Sequence, residues 1–285
     1  MREVAIIGAA GKMGSWFRDY FSRHGLEVSA YDINDIVLRT ASNVKVKDSL
    51  DDCVKEADLV LVSVPLNSTP SVIRECAKKM KNGAIIAEIS SVKYKTFAAL
   101  KNVPKNVIPL CIHPMFGPGA SEKIQAKLLL VPVRNEKNEL KLANEIFENV
   151  KVTVLPTAKQ HDRSIAIVLG LTYFTNIVFA KVLVSADISM LKQVSGTTFA
   201  LQSIIAESIL TDEPDLIVAL VQANMYTRKY IMQYLKEATS IARLVVSKNS
   251  SDLKADLREI RSKLEKSQDL QESYKRMYDI IESFK

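Results

Sequence analysis

Three histidines are the residues of this chain best suited to move a proton near neutral pH, because imidazole titrates there without a shifted pKa. His113 follows the apolar run Val107–Ile112 and begins the segment HPMFGP, residues 113–118. At the carboxyl end of a strand, a histidine can accept a hydroxyl proton while hydride leaves the carbon that bears the hydroxyl. The alternative for His113 is a structural hydrogen bond to a loop. His24 lies in Arg23-His24-Gly25, which is typical of a helix C-terminus, and we assign it no chemistry.

Two other segments supply reactive side chains. Ser90-Ser91-Val92-Lys93 follows the apolar run Ala84–Ile89, so a serine hydroxyl is expected at the same sheet edge as His113. Gln160-His161-Asp162 begins the first helix after the strand-rich half of the chain. His161 is either a ligand group on this helix or an ordinary surface residue at its start.

A glycine-rich segment, GAAGKMG at residues 8–14, directly follows the apolar run Val4–Ile7. Such a loop binds a pyrophosphate, because glycine allows a tight turn and the following helix N-terminus offers free N–H groups. The spacing is G-x-x-G-x-x-G, and Ala10 stands where the usual G-x-G-x-x-G pattern has a glycine. The loop therefore predicts a dinucleotide site of a variant type.

Asp32 strengthens this prediction. It lies at the end of the second apolar run, 24 residues after Gly8, where a carboxylate can accept hydrogen bonds from the adenosine ribose. The alternative is an ordinary turn residue. A carboxylate would repel the 2′-phosphate of NADP, and Arg39 is seven residues away, so NAD is the predicted cofactor.

These groups lie at one edge of a sheet only if the strands before them are parallel and belong to the same sheet. Short apolar runs alternate with amphipathic segments up to about Pro156, which is typical of a parallel sheet covered by helices. Helices are predicted at Lys12–Arg23 and Glu139–Asn149, and another begins where Ser68 or Thr69 is expected to cap it before Pro70. Strands are predicted at Val4–Ile7, Glu27–Tyr31, Leu59–Val64, Ala84–Ile89, Val107–Ile112, Leu128–Val133 and, at an edge, Val152–Leu155.

The chain changes character after Pro156, where helical periodicity replaces strand alternation. We predict an α/β fold with a Rossmann-type, mostly parallel sheet domain over residues 1–156 and an all-helical domain over residues 157–285.

The stretch Ile165–Ala186 is long enough to span a membrane. Its polar residues favour a helix buried at a subunit interface instead; they are Thr172, Thr175, Asn176 and Lys181.

Composition limits the class of protein. Of the 285 residues, 47% are hydrophobic and 25% are charged, as in compact globular proteins. The net charge is +7, but residues 251–285 hold eight basic and eight acidic residues, so anionic small ligands are expected rather than nucleic acid. Cys53, Cys76 and Cys111 lack the spacing of a disulfide framework or a zinc site. With no secretion signal at the N-terminus, we expect a cytoplasmic protein without a metal.

Taken in order, these motifs resemble the prephenate dehydrogenase family, and most of all the dehydrogenase part of the bifunctional chorismate mutase/prephenate dehydrogenase. We expect no chorismate mutase module before Met1. The resemblance implies NAD as cofactor and a homodimer formed by the helical half. The matching landmarks are Gly8–Gly14, Ser63-Val64-Pro65, Ser91-Val92-Lys93, His113–Pro118 and His161-Asp162. The nucleotide contacts expected are Gly8, Ala10, Gly11, Lys12, Met13, Gly14, Asp32, Val64 and Pro65.

The resemblance also implies a reaction, the NAD-dependent oxidative decarboxylation of prephenate to 4-hydroxyphenylpyruvate on the route to tyrosine. NAD takes hydride from the ring carbon that bears the hydroxyl, and His113 holds or accepts the hydroxyl proton. Ser91 orients the hydroxyl, and His161 contributes from the helical domain. Arogenate differs from prephenate only in the side chain distant from the reacting carbon, so it stays open as the substrate.

One departure from the family weakens the substrate assignment. Family members have two arginines where this chain has Ala200 and Ser208, and neither residue can bind a carboxylate as a guanidinium does. Lys192, Arg228 and Lys229 are the nearest cations in sequence that could replace them. Two other functions stay open: a different hydroxy-acid dehydrogenase of the superfamily, and a nucleotide sensor that keeps the fold without turnover.

Overall fold

A computed structural model describes residues 1–34, 44–121 and 126–283. The chain forms two compact units, Met1–Ile165 and Ala166–Lys285. The predicted boundary between residues 156 and 157 lies just before a helix, Ala158–Ile165, whereas the compact units divide at the end of that helix. This helix, which contains His161, therefore belongs to the first unit.

The described part of the first unit contains one eight-stranded sheet. Its strands are β1 (Glu3–Ile7), β2 (Glu27–Tyr31), β3 (Lys45–Val46), β4 (Leu59–Val62), β5 (Ile85–Glu88), β6 (Ile108–Pro114), β7 (Lys127–Leu130) and β8 (Lys151–Val154). Their order is β3-β2-β1-β4-β5-β6-β7-β8, and among these strands only β6 and β7 pair antiparallel. The first six strands have the Rossmann order, which reverses direction between β1 and β4. Ligands of such sheets bind at the carboxyl ends of the strands near this point.

Helices cover both faces of the sheet, which explains why its central strands are mostly apolar. The helices of this unit are α1 (Lys12–Arg23), α2 (Leu50–Val54), α3 (Thr69–Ala77), α4 (Tyr94–Lys101), α5 (Glu136–Ile146) and α6 (Ala158–Ile165). Strand side chains alternate between the faces. Ile6 therefore packs with α1 and α5 on one face, and Ile7 packs with α2, α3 and α4 on the other.

The sequence predicted most of these elements. The bounds of α1 and β2 are confirmed, β8 lies at the sheet edge as expected, and the other predicted elements shift by a few residues. The short β3 and α2 were not foreseen. The predicted cap of α3 is wrong: Ser68 has helical torsions (φ −88°, ψ −23°), whereas a capping residue needs an extended backbone, and it makes no capping bond. The Thr69 hydroxyl instead donates to carbonyls of the loop after β4.

The second unit is helical throughout its described residues, as predicted. A π-helical turn, Ala166–Leu171, precedes α7 (Thr172–Leu183), α8 (Ile188–Gln193), α9 (Thr197–Ile209), α10 (Pro214–Gln222), α11 (Thr227–Val246), α12 (Ser250–Leu264) and α13 (Leu270–Glu282). The two last helices have exposed ion pairs one turn apart, Lys263 with Glu259 and Arg276 with Glu272. The charged C-terminal region is therefore an ion-paired helix surface.

The long apolar helical stretch that leads into this unit is largely exposed to solvent in a single chain. Among the described residues, one helical stretch, Ala158–Leu183, is long and apolar enough to cross a membrane by length and composition alone. Only 28% of its most apolar window is buried. Val178 and Val182 on α7 are exposed.

Candidate active site

Three side chains on one face of the sheet meet at the carboxyl ends of β5 and β6. Glu88 ends β5 and lies opposite Cys111 of β6 in the strand register. Because side chains alternate along a strand, Cys111 and His113 point to the same face. Lys93 immediately precedes α4, the helix that covers this face. The apolar face therefore ends in a buried polar cluster.

The two histidines singled out from the sequence are in contact. Nδ1 of His113 lies 3.0 Å from Nε2 of His161, and Nδ1 of His161 lies 2.8 Å from Oδ1 of Asp162. Both imidazoles are buried. The Asp162 carboxylate also accepts the backbone N–H groups of Lys93 (2.8 Å) and Tyr94 (3.0 Å). Asp162 thereby caps α4, which has no cap from its own flanking side chain.

A fully buried ion pair lies beside the histidines. Nζ of Lys93 is 2.6 Å from Oε1 of Glu88 and also donates to the carbonyl of Ile112. Glu88 accepts the Cys111 thiol (3.1 Å) and the backbone N–H of Ser90 (2.9 Å). Two buried charges offset the cost of leaving water only when such additional hydrogen bonds complete the pair. The sequence analysis named Lys93 in a motif but gave neither charge a role.

The surroundings keep the histidines neutral. Burial, then the Lys93 cation and then His161 hold the pKa of His113 well below its ordinary value. Burial also lowers the pKa of His161, although the hydrogen bond to Asp162 opposes this. At neutral pH the His113 ring therefore has a nitrogen lone pair, which a general base requires.

Other polar groups near this edge of the sheet make fewer hydrogen bonds within the described residues. Among the described residues, Nε2 of His113 and the half-buried Ser91 hydroxyl have no hydrogen-bond partner. The neighbouring Ser90 hydroxyl donates to Thr69 (3.2 Å). The structure thus joins His113 to His161 but does not bond Ser91 to either. No group of three or more His, Cys, Asp or Glu in the described ranges could hold a metal ion.

The glycine loop after β1 is closely packed against backbone. Gly8 has φ +85°, and a Cβ there would lie 2.4 Å from the carbonyl oxygen of Ser63. A Cβ on Gly14 would lie 2.1 Å from the Gly8 oxygen. Gly11 is the N-cap of α1, and the N–H groups of Met13 and Gly14 have no acceptor among the described residues. The loop therefore offers a side-chain-free surface and a helix N-terminus, which suit a pyrophosphate.

Asp32 is tied to this loop. One of its carboxylate oxygens accepts the Ala10 N–H and the other accepts the Asn34 N–H, each at 2.9 Å. This anchoring role was not foreseen from the sequence. Lys12, the first residue of α1, is exposed. Arg39, considered for NADP, lies outside the described residues.

Val64 and Pro65 follow β4, the strand next to β1. Cγ1 of Val64 lies 3.0 Å from the point that a Cβ on Gly8 would occupy. The carbonyls of Val64 and Pro65 each accept the Thr69 hydroxyl at 3.2 Å. The loop is thereby held next to Gly8 at the point where the strand order reverses.

The cations suggested in place of the missing arginines lie on helices of the second unit. Lys192 forms an ion pair with Glu207 (3.0 Å), and both side chains are more than half exposed. Lys229 lies 5.7 Å from the ring centre of Tyr230. Arg228 is exposed at the start of α11. Lys192 is thus already engaged by a carboxylate.

Comparison with known families now identifies the chain. Residues 19–156 match the family model described as prephenate dehydrogenase, nucleotide-binding domain. Residues 157–259 match the model described as prephenate dehydrogenase, dimerization domain. The chain belongs to the prephenate dehydrogenase family.

Individual members of this family differ in the substrate they are named for. A probable arogenate/prephenate dehydrogenase of Methanocaldococcus jannaschii is 26% identical over 86% of this chain and 57% of its own length. The chain spans about half the length of the curated relatives it matches. Two solved structures share the fold: a prephenate dehydrogenase from A. aeolicus in complex with hydroxyphenyl propionate and NAD+ (TM-score 0.73, 22% identity, 94% and 99% coverage) and a Synechocystis arogenate dehydrogenase (0.68, 15%, 93% and 99%).

In this member of the prephenate dehydrogenase family, Glu88, Cys111 and Asp162 are parts of the histidine site that sequence patterns did not predict. One signal was available for Glu88: it is a lone acidic residue in the apolar run of a central strand, and a charge there needs a buried partner. Asp162 was named only as a neighbour of His161. Its contact with the start of α4 joins segments 68 and 69 residues apart, which no sequence pattern specifies.

Proposed function

We propose that this chain catalyses the NAD-dependent oxidative decarboxylation of prephenate to 4-hydroxyphenylpyruvate, a step of tyrosine biosynthesis. The observation that carries the proposal is the neutral imidazole of His113 at the carboxyl end of β6, in a chain of this family. β6 lies three strands from β1, so at ~4.8 Å per strand His113 is roughly 14 Å along the sheet from the glycine loop. A dinucleotide bound at the loop can reach it.

The residues present fit NAD as the cofactor. The glycine loop and the start of α1 would hold the pyrophosphate, because Gly8 and Gly14 keep it free of side chains. Each Asp32 oxygen accepts one backbone N–H and retains a lone pair for a ribose hydroxyl. The same carboxylate disfavours the 2′-phosphate of NADP. When bound, NAD supplies the hydride acceptor.

His113 supplies the base. Its Nε2 accepts the proton of the substrate hydroxyl as hydride leaves the same carbon. Loss of the ring carboxylate as carbon dioxide leaves its electron pair in the ring, which becomes a phenolate, and His113 returns the proton to the phenolate oxygen. The proton is therefore held only during the reaction. Ser91, three residues before the start of α4, orients the hydroxyl, and His161 acts through His113.

The assembly we propose is a homodimer in the cytoplasm. The second half matches the dimerization domain of the family, and exposed apolar side chains such as Val178 and Val182 on α7 suit a second copy better than lipid. The three cysteines are free and buried, which fits a reducing compartment. We propose the domain boundary between residues 156 and 157, where the matches to the two family models meet, although α6 belongs to the first compact unit.

The test is an assay of purified protein with NAD and either prephenate or arogenate. NADH and 4-hydroxyphenylpyruvate should form in equal amounts from prephenate, and more slowly with NADP. Faster turnover of arogenate would make the chain an arogenate dehydrogenase. Tight NAD binding with no turnover of either acid would overturn the enzymatic proposal in favour of a nucleotide sensor.

A further inference from the structure

The hydrogen bonds between Asp162, His161 and His113 have one consistent direction. Oδ1 of Asp162 faces Nδ1 of His161 at 2.8 Å and the backbone N–H of Lys93 at 2.8 Å, while Oδ2 faces the N–H of Tyr94 at 3.0 Å. Two of these three neighbours are backbone groups that can only donate. The carboxylate accepts both backbone N–H groups, and an ionised carboxylate can only accept from His161 as well, so His161 has its proton on Nδ1.

This assignment fixes the second imidazole. With its proton on Nδ1, neutral His161 offers only a lone pair at Nε2. That lone pair faces Nδ1 of His113 at 3.0 Å, so His113 must donate from Nδ1. Nε2 of His113 is then the nitrogen with a free lone pair. The reverse order would set an imidazole lone pair against the carboxylate.

We infer that Asp162 is a positioning residue of the reaction, which through His161 fixes His113 in the tautomer whose Nε2 accepts the substrate proton. The inference rests on the proposed function for its substrate, but the tautomer order stands on the contacts alone. When His113 accepts the proton at Nε2, its positive charge is stabilised by the Nδ1–H bond to His161, and His161 is polarised in turn by its bond to the Asp162 carboxylate. Asp162 therefore favours the protonated base during the reaction and its correct orientation before it.

The other charged groups around the histidines act in balance with Asp162. Lys93 opposes a positive charge on His113, and Glu88, 2.6 Å from Nζ of Lys93, offsets that cation. The Cys111 thiol faces Glu88, and its pKa is raised by burial, so it stays neutral. Asp162 is the carboxylate bonded directly to the imidazole chain within the described ranges.

Asp162 also holds the backbone segment that follows Ser91. Its two bonds to the start of α4 hold the backbone of Lys93 and Tyr94, immediately after Ser91 and Val92. One carboxylate thus contacts both the imidazole pair that contains the proposed base and the segment that follows Ser91. A change at Asp162 should disturb both.

The first test does not require turnover. The chain has three histidines, so long-range ¹H–¹⁵N spectra of histidine-labelled protein give three ring patterns, assigned with His24→Gln and His113→Asn. We expect His113 and His161 both to be neutral and protonated at Nδ1 at pH 7.5. A proton on Nε2 of His113 would overturn the inference. The result is informative even if neither prephenate nor arogenate is a substrate.

The second test compares two buried carboxylates. Glu139 is 1% exposed and accepts three backbone N–H groups, of Val133, Arg134 and Asn135, but touches no histidine. Glu139→Gln is thus a matched control for Asp162→Asn, since both remove a buried carboxylate charge from capping bonds. Asp162→Asn should lower kcat on the order of 10²-fold or more and shift the acid limb of its pH profile, with NAD affinity unchanged.

Glu139→Gln should lose stability but retain kcat per folded molecule and the wild-type pH profile. The ¹⁵N titration should show lower pKa values for His113 and His161 in Asp162→Asn alone, because only that variant removes the charge that favours the protonated rings. A purely structural Asp162 would make the two variants alike. Wild-type kcat and histidine titration in folded Asp162→Asn would contradict the inference.

Discussion

The glycine loop and the histidine cluster lie at the same edge of one sheet, yet they are built in opposite ways. The loop is a continuous segment, residues 8–14, which works by having no side chains where backbone atoms come close. The cluster is assembled from the ends of β5 and β6, the start of α4 and the middle of α6, and works through buried charge. The loop therefore depends on shape, whereas the cluster depends on electrostatic balance.

The largest effect on stability should come from breaking that balance. Lys93→Met leaves Glu88 buried without its cation, and we expect a loss of about 3–5 kcal/mol in the free energy of unfolding, measured by denaturant titration. Adding Glu88→Gln to the variant should recover part of this loss, because the uncompensated charge is gone.

The matched control is the exposed pair of Lys263 and Glu259 on α12. Lys263→Met removes the same kind of contact in solvent, so it should cost less than about 1 kcal/mol. Similar losses of unfolding free energy in the two lysine variants would contradict the claim that burial makes the Lys93–Glu88 pair more important for stability than an exposed pair.

A smaller loss of stability is expected from alanine variants of the glycine loop, which test its close packing. Gly14→Ala would bring Cβ within 2.1 Å of the Gly8 oxygen, whereas Gly11→Ala would place it 3.3 Å from the same atom. The first change should cost about 1–3 kcal/mol of stability, in the range of overpacked cores, and reduce NAD affinity in a calorimetric titration. The second should leave stability nearly unchanged. Equal stability of the two alanine variants would refute the close-packed loop.

The smallest expected effect is a pH dependence of stability that arises from the two buried histidines of the cluster. Because the pKa values of His113 and His161 are lowered by folding, the unfolded chain binds more protons as pH falls below about 6.5. Stability should be constant with respect to these groups above that pH and decline between about pH 6.5 and 5. The pKa of Asp58 is lowered to about 2 by Lys81 and backbone N–H groups, so the stability that this carboxylate contributes is present in full above about pH 5 and is lost only as the pH falls toward 2.

Unfolding titrations at pH 7.5, 6.5 and 5.5 measure this effect. The decline should shrink in a His113→Asn variant and persist in a His24→Gln variant, because the His24 ring lies at a helix end, 2.8 Å from the Tyr20 carbonyl. A decline that is the same in all three proteins would show that the buried histidines are not its source.

The same contrast explains what the sequence could predict. The glycine loop, Asp32 and the strands that precede His113 and Ser91 follow from local patterns, since alternation and turn chemistry act over a few residues. The contact of His113 with His161 joins residues 48 apart, and the Lys93 ammonium, besides its pairing with Glu88, donates to the carbonyl of Ile112, 19 residues further along the chain. Such contacts are set by packing, which no short segment encodes. The prediction of Ser68 as a cap failed at a similar point: its backbone has helical torsions, and its N–H donates to the carbonyl of Pro65 in the loop after β4.

We propose that His113 accepts the substrate proton beside a nucleotide site that does not depend on this histidine. The most direct measurement is NADH formation by His113→Asn with saturating NAD and prephenate, together with its NAD affinity. We predict that turnover falls by about 10²–10⁴-fold, the usual contribution of a general base, while NAD binds as in the wild type. Turnover within a few-fold of the wild type in this variant would contradict the account.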